Sequence, residues 1–277
     1  MNAPLRLGFS PCPNDAFVFH ALVYGMVAPE LSWHVRLEDV EMLNGLAQDG
    51  ELDVAKVSYH AFGRIADDWW MLPSGGALGH GVGPLIVARD PELELGEATV
   101  ATPGGRTTAN LLLDLYAPAN VRRVELRYDR IMPAVEAGEV DAGLIIHESR
   151  FTYPEHGLHR LVDLGAWWET WTGAPIPLGG IAVRRDLPAQ LIDRVAGAVR
   201  ASVVAARRDP LASAAYVAEH AQEMSPEVRE RHIETYVNDF TLDAGPVGRA
   251  AVDTLFERAA RRGLLPLTRP DLFWGGA

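Results

Sequence analysis

An α/β chain folded as two lobes, with a ligand cleft between them, is the class this sequence predicts. Three observations carry it. Short β-like runs alternate twice with helix-length amphipathic stretches, and the motif Gly-Glu-apolar-Asp occurs at 50–53 and again at 138–141, each time leading into an apolar strand. The chain also passes between the two series twice, near 88–92 and 178–184. Helix-length crossovers between successive strands imply parallel pairing, so each unit is expected to build a parallel sheet.

In the first unit "LRLGF" (5–9) reads as a strand, 15–25 as a helix, "WHVRL" (33–37) as a strand, 40–48 as a helix and "LDVAKVS" (52–58) as the third strand. The second unit repeats the plan with "ATVAT" (98–102), a helix opening at "TTANLLLDLYA" (107–117), "RVELRY" (123–128), a helix over 131–137 and the strand "DAGLIIH" (141–147). Between them lies "SGGALGHGVGPLIVAR" (74–89), a Gly-rich turn followed by a strand. The return strand is "PIPLGGIAVRR" (175–185), and helices fill 188–262, broken once at "RRDP" (207–210). Residues 1–90 with 182–277 then make the first lobe and 91–181 the second.

Of the 277 residues, 48% are apolar and 22% charged, which suits one or two globular domains. The formal charge of −12 argues against nucleic acid or an anionic membrane as partner, since both are held by clustered Lys and Arg. A small molecule is the expected partner. The N-terminus shows no secretory pattern and no apolar run reaches the roughly 20 residues that cross a bilayer, so membrane insertion is not expected and a cytoplasmic location is. One cysteine, Cys12, excludes an intrachain disulfide and a Cys-rich metal site. Nothing in the composition sets the oligomeric state.

Ligands of open α/β sheets collect beyond the carboxyl ends of the strands, and Lys56, Ser58, His147 and Glu148 lie at such ends. His147 has two readings: a histidine capping the end of a core strand, or a general base whose neutral form is populated at physiological pH. Glu148, as the next residue along a strand, is expected to face the other side and to be structural, unless the strand has already ended. In "TPGGRTTAN" (102–110) the exposed N–H groups of a helix start suit a carboxylate or phosphate, while simple N-capping by Thr107 or Thr108 explains the same residues. "SPCPND" (10–15) reads as a rigid turn capped by Asn14 or Asp15. It brings Ser10, Cys12 and Asn14 to the cleft lining, with Thr107 opposite, and Cys12 is expected to act as a small hydrophobe and not as a nucleophile.

The "KVS" segment, Lys56, Val57 and Ser58, offers an ammonium and a hydroxyl to an anionic ligand; a lysine in an apolar strand needs a partner for its charge. The tryptophans of "AWWETW" (166–171) fit core packing better than an aromatic wall. His20, His60 and His80 read as structural or solvated. "GHGVGP" fails the dinucleotide fingerprint, and neither a Walker loop nor H-E-x-x-H occurs, so no nucleotide, metal or other cofactor is expected.

With "LGFSPCPND", "KVSYHA", "SGGALGHGVGPL", "GRTTA", "RYDRI", "AGLIIHESRFTY" and "VDLGAWWE", the chain resembles the 1,4-dihydroxy-6-naphthoate synthase family of the futalosine route to menaquinone. The resemblance is dense from about residue 5 to 185 and looser beyond; Ala16 stands where the family has Thr. It implies a type II periplasmic-binding-protein-like fold used as an enzyme, acting on cyclic dehypoxanthine futalosine without a cofactor. It further implies His147 as the base and Lys56, Val57, Ser58, Thr108 and Ala109 as substrate-binding positions. Two other functions share the architecture: a non-catalytic solute-binding protein, and the sibling enzyme that dehydrates chorismate. "SPCPND" and "LIIHESR" favour the synthase.

Overall fold

The computed structural model describes residues 3–221, 225–266 and 271–275. Its first unit runs β1 (Leu5–Phe9), α1 (Pro13–Val23), β2 (Trp33–Leu37), α2 (Val40–Gln48), β3 (Val54–Ser58), α3 (Tyr59–Ile65), β4 (Trp69–Met71) and β5 (Ala77–Gly79). The second runs β6 (Leu85–Ala88), β7 (Thr99–Thr102), α4 (Thr108–Tyr116), β8 (Arg122–Glu125), α5 (Tyr128–Ala137), β9 (Ala142–Ile145), α6 (Ser149–Thr152), β10 (His159–Asp163) and α7 (Leu164–Thr172). The long strand β11 (Ile176–Arg184) follows, then α8 (Ala189–Arg208), α9 (Ala214–His220), α10 (Pro226–Tyr236), α11 (Asp239–Leu242) and α12 (Gly245–Arg261).

Both sheets share one plan. The first is ordered β2-β1-β3-β11-β4, with β5 also on β11, and the second reads β8-β7-β9-β6-β10. In each, the three strands of the helix-linked unit are parallel, as expected, but the fourth is antiparallel: β11 on β3 and β6 on β9. The sheets are therefore mixed. These fourth strands arrive from the other unit through a short crossing instead of a helix, and only a helix-length connection is tied to parallel pairing.

Sheet membership also moves the crossings. β6 already belongs to the second sheet and the whole of β11 to the first, so the chain passes over at 80–84 and 173–175, ahead of 88–92 and 178–184. The apolar runs at 85–88 and 176–184 look alike in sequence whichever sheet they join. The strands β4 and β5 have too few residues to show a period, β10 (His159–Asp163) is a further strand that the sequence reading did not assign, and α1 begins at Pro13, two residues before the expected start.

The repeated Gly-Glu-apolar-Asp motif has a structural explanation. Gly50 and Gly138 take φ of 72° and 75° just past α2 and at the end of α5, left-handed positions that end a helix and favour glycine. Three residues on, Asp53 accepts the Arg6 N–H at 2.9 Å, and Asp141 accepts the Thr99 N–H at 2.7 Å. Each aspartate thus ties the entrance of the third strand to that of the first. Register between β1 and β3, and between β7 and β9, is set by that brace, which aims both third strands at the cleft.

The C-terminal helices complete the first lobe. Val195, Val199 and Val203 of α8 share one apolar cluster with Phe17, Val18 and Leu22 of α1, and Ser202 ties the two helices by donating to the Val18 carbonyl at 2.6 Å. Phe256 of α12 stacks on Phe62 of α3. No helix among the described residues is long and apolar enough to cross a membrane. Replacing Asp53 by Ala leaves the Arg6 N–H unpaired and removes a three-bond contact to Arg6; a loss of about 1–3 kcal/mol in urea unfolding is expected.

Candidate functional site

The carboxyl end of β3 delivers Lys56, Val57 and Ser58 to the cleft, all buried. A buried ammonium needs an anion, and Asp15 supplies it: Lys56 Nζ lies 2.7 Å from Asp15 Oδ1 and 3.2 Å from the Gly75 carbonyl. Asp15 is also 3% exposed and accepts from the Ser10 hydroxyl at 2.7 Å and from Asn14 Nδ2 at 2.9 Å. Asn14 and Asp15 are therefore not helix caps, as their sequence suggested. Cys12 occupies the cap position without a side-chain bond, and the two polar residues turn inward from the first turn. With two of its three N–H groups engaged, Lys56 keeps one for a ligand. Ser58 is held at both its N–H (2.9 Å) and its hydroxyl oxygen (3.1 Å) by Asn44, which leaves its hydroxyl proton to point into the cleft.

Across the cleft stands the N-terminus of α4. Thr107 caps it, its oxygen accepting the Asn110 N–H at 3.2 Å, and the N–H groups of Thr108 and Ala109 have no acceptor among the described residues. Two free donors at a helix start suit an anionic or carbonyl oxygen. The Thr108 hydroxyl plays another part. It donates to the Leu178 carbonyl at 2.6 Å and accepts the His60 N–H at 3.3 Å, so it joins the lobes, its proton is engaged, and one lone pair of its oxygen is left over.

His147 lies past the end of β9, with φ of 56°, a left-handed conformation uncommon outside glycine and enriched at functional sites. The loop that carries it is pinned by Arg150, which pairs with Asp163 at 3.0 Å and donates to the Gly83 carbonyl. Its ring meets Tyr128 edge-on at 5.1 Å and stacks toward His232 at 6.2 Å, and no hydrogen bond among the described residues occupies either ring nitrogen. Desolvation by burial lowers its pKa to about 4, with Asp15 opposing and Lys56 assisting.

Because the strand has ended, the expectation that Glu148 faces away from His147 fails. Ligand atoms of Cys12, His147 and Glu148 lie within 4.8 Å of one another. Three such donors form the beginning of a metal site, but burial and the neighbouring Glu148 push the Cys12 thiol well above its usual pKa, which disfavours the thiolate a metal binds. The cluster fits a neutral thiol better, in keeping with Cys12 as a small hydrophobe.

These groups enclose a cavity of about 690 Å³ of atom-free space, counted to its mouth. Ser10, Asn14, Lys56, Val57, Ser58, Thr107, Thr108, Ala109 and His147 all line it; Cys12 lies behind it. Asp15, Asn44, Tyr236 and the wholly buried His232 were missed in the sequence. Tyr236 and His232 share the inner face of α10 at i and i+4, the one signal that pointed to them. None of Trp167, Trp168 and Trp171 reaches the cavity. His60 donates to the Thr107 carbonyl and accepts from Arg64, and His80 pairs with Glu169, so both are structural.

A family model described as "Menaquinone biosynthesis" matches residues 5–261. A 1,4-dihydroxy-6-naphtoate synthase of Thermus thermophilus is 55% identical over 96% of this chain and 98% of its own, and one of Streptomyces coelicolor is 52% identical over 96% of each. Among solved structures, protein AF1704 from Archaeoglobus fulgidus superposes with a TM-score of 0.91 at 37% identity, covering 95% of this chain and 98% of that one. The alkanesulfonate-binding protein SsuA from Xanthomonas axonopodis, bound to MOPS, superposes at 0.71 with 15% identity over 98% and 96% of the two chains, a likeness of fold alone. The architecture is thus periplasmic-binding-protein-like.

Asp15→Ala strands the Lys56 charge in the interior. It is expected to destabilise the protein by about 3–5 kcal/mol in urea unfolding at neutral pH. Lys56→Met with Asp15→Leu, which removes both charges, is expected to recover most of that loss.

Proposed function

The chain belongs to the menaquinone biosynthesis family, and from that premise we propose that it converts cyclic dehypoxanthine futalosine to 1,4-dihydroxy-6-naphthoate with His147 as general base. The observation that carries this reading is an imidazole with both nitrogens unengaged, held in a left-handed turn and lining the same cavity as two free N–H groups. Release of the sugar-derived fragment requires a proton to be removed and the ring electrons to reorganise as a carbon–carbon bond breaks. The product gains aromatic stabilisation. Such a reaction needs a base and donors for developing negative charge, and this cavity offers both.

Each lobe supplies part of the set. The free proton of Lys56 and the Ser58 hydroxyl bind from the first lobe, the Thr108 and Ala109 N–H groups from the second, and His147 accepts the proton between them. With a pKa near 4, His147 is unprotonated in the resting enzyme at neutral pH. Burial opposes the positive charge it gains, while Asp15 and Asp39 favour that charge. Apolar lining from Val40, Val82, Ile146 and Leu178 excludes water from the reacting carbons.

Mass-detected formation of 1,4-dihydroxy-6-naphthoate from cyclic dehypoxanthine futalosine, by wild type and His147→Asn side by side, tests the proposal. Product with wild type and a fall of about 10²–10⁴-fold in the variant are expected. Equal turnover would remove His147 as base; no product from either would favour a solute-binding or chorismate-dehydrating function. The pH profile follows from the sign of the shift. A depressed pKa keeps the base deprotonated below the usual histidine range, so kcat/KM should stay level from neutral pH through 6.5 and fall only as pH approaches about 4.

A further inference from the structure

Two buried atoms in the site have no hydrogen-bond partner, Oε2 of Glu148 and Nδ1 of His232, and they face each other at 4.0 Å. Their surroundings fix what each can offer. Asn14 gives its Nδ2 to Asp15, so its Oδ1 is turned to His232 Nε2 at 2.8 Å and Nε2 must carry the hydrogen. Nδ1 of a neutral His232 is then a bare lone pair. An ionised Glu148 would set a second lone pair against it, leaving two desolvated acceptors without a donor, an arrangement that folding disfavours. One proton between them turns that conflict into a donor–acceptor pair.

We propose that Glu148 and His232 hold a single proton between Oε2 and Nδ1, and that the pair is a positioning device for His147. The groups facing it are those that a shared proton must accommodate. Asp129 and Tyr128 of α5, Cys12 at the start of α1 and Tyr236 of α10 face Glu148, and burial with the Asp129 charge favours its protonated form. Lys56 of β3, His147 and Asn14 face His232, and burial, a charge on His147 and the Lys56 charge all disfavour its imidazolium, so a proton on Nδ1 needs the Glu148 carboxylate beside it. At rest the proton therefore sits on Glu148, and a rotation of that side chain by about 1 Å brings it within hydrogen-bond range of Nδ1.

The pair's role in turnover rests on the reading of His147 as the base. When His147 takes up the substrate's proton, the Glu148 proton passes to His232 Nδ1. One O–H bond breaks, one N–H bond forms, and a carboxylate is left beside the new imidazolium. Charge is conserved, and the only proton gained by the three residues is the substrate's.

Infrared difference spectroscopy of the full-length protein, wild type minus Glu148→Gln at neutral pH, tests the shared proton without substrate. Expected is a carbonyl stretch of a buried carboxylic acid that moves down in D2O; its absence overturns the proposal. Kinetics test the positioning role. Folded Glu148→Gln should lose about 10-fold or more in kcat with KM changed less than about 3-fold, and Glu148→Asp should recover part of the loss. A wild-type kcat and pH profile in Glu148→Gln overturns the role. The infrared band with no turnover by wild type would sink the base reading and leave the shared proton standing.

Discussion

A lysine ammonium buried at the end of a strand is stable only if an anion is buried with it, and much of this site is arranged by that requirement. Asp15 meets it at 2.7 Å, and to do so the first turn of α1 must direct polar side chains inward, where a helix start usually presents them to solvent. The remaining Asp15 valences orient Ser10 and Asn14. Asn14 in turn fixes the hydrogen of His232, whose other nitrogen confronts Glu148 beside His147. One ion pair in the first lobe thus reaches, through Asn14 and His232, Glu148 beside His147 in the second.

The two sheets explain why this chain of contacts can span the cleft. Each unit ends its third strand at the same place because Asp53 and Asp141 brace that strand to the first in the same way. Each sheet then accepts one antiparallel strand whose chain has come from the other unit. Lys56–Ser58 and His147 consequently approach from opposite walls, and β11 carries Leu178 and Gly179 between them into the cavity lining. At Gly179 a side chain would come within 2.7 Å of the Val57 carbonyl, so the close approach of β11 to β3 at the cleft floor requires glycine.

Most of the fold was legible because its signals are local: alternation, helix period, glycine after a helix, and a motif that recurs. All six parallel strands with the helices between them, and the packing of the C-terminal helices on the first unit, follow from such patterns. The antiparallel direction of the fourth strands was not legible, since a buried strand carries the same apolar run in either direction. In the site, residue type pointed to Lys56, Ser58 and His147, each a polar group at the end of an apolar run. Asp15 looked like a cap because acceptors are common at helix starts, and His232 lies in a helix rich in charge, 85 positions beyond His147, with no motif around it. Glu148 was assigned the wrong direction because alternation holds only while the strand lasts, and no pattern in "IIHES" announces the left-handed turn at His147.

That turn links the local conformation to lobe closure. A left-handed histidine is held there only if its surroundings over-determine it, and here the Arg150–Asp163 pair and the packing of Tyr128 do so from within the second lobe. The first lobe adds contacts of its own. Glu41 of α2 accepts from both the backbone N–H and the guanidinium of Arg106, and the Thr108 hydroxyl accepts from α3. Burial raises the Glu41 pKa while Arg106 opposes the rise, so the contact is strongest with the carboxylate ionised. This contact bridges the two lobes outside the lining of the cavity. With those polar contacts between the lobes made elsewhere, the third N–H of Lys56, the Ser58 hydroxyl proton and the α4 N–H groups stay uncommitted at the cavity wall.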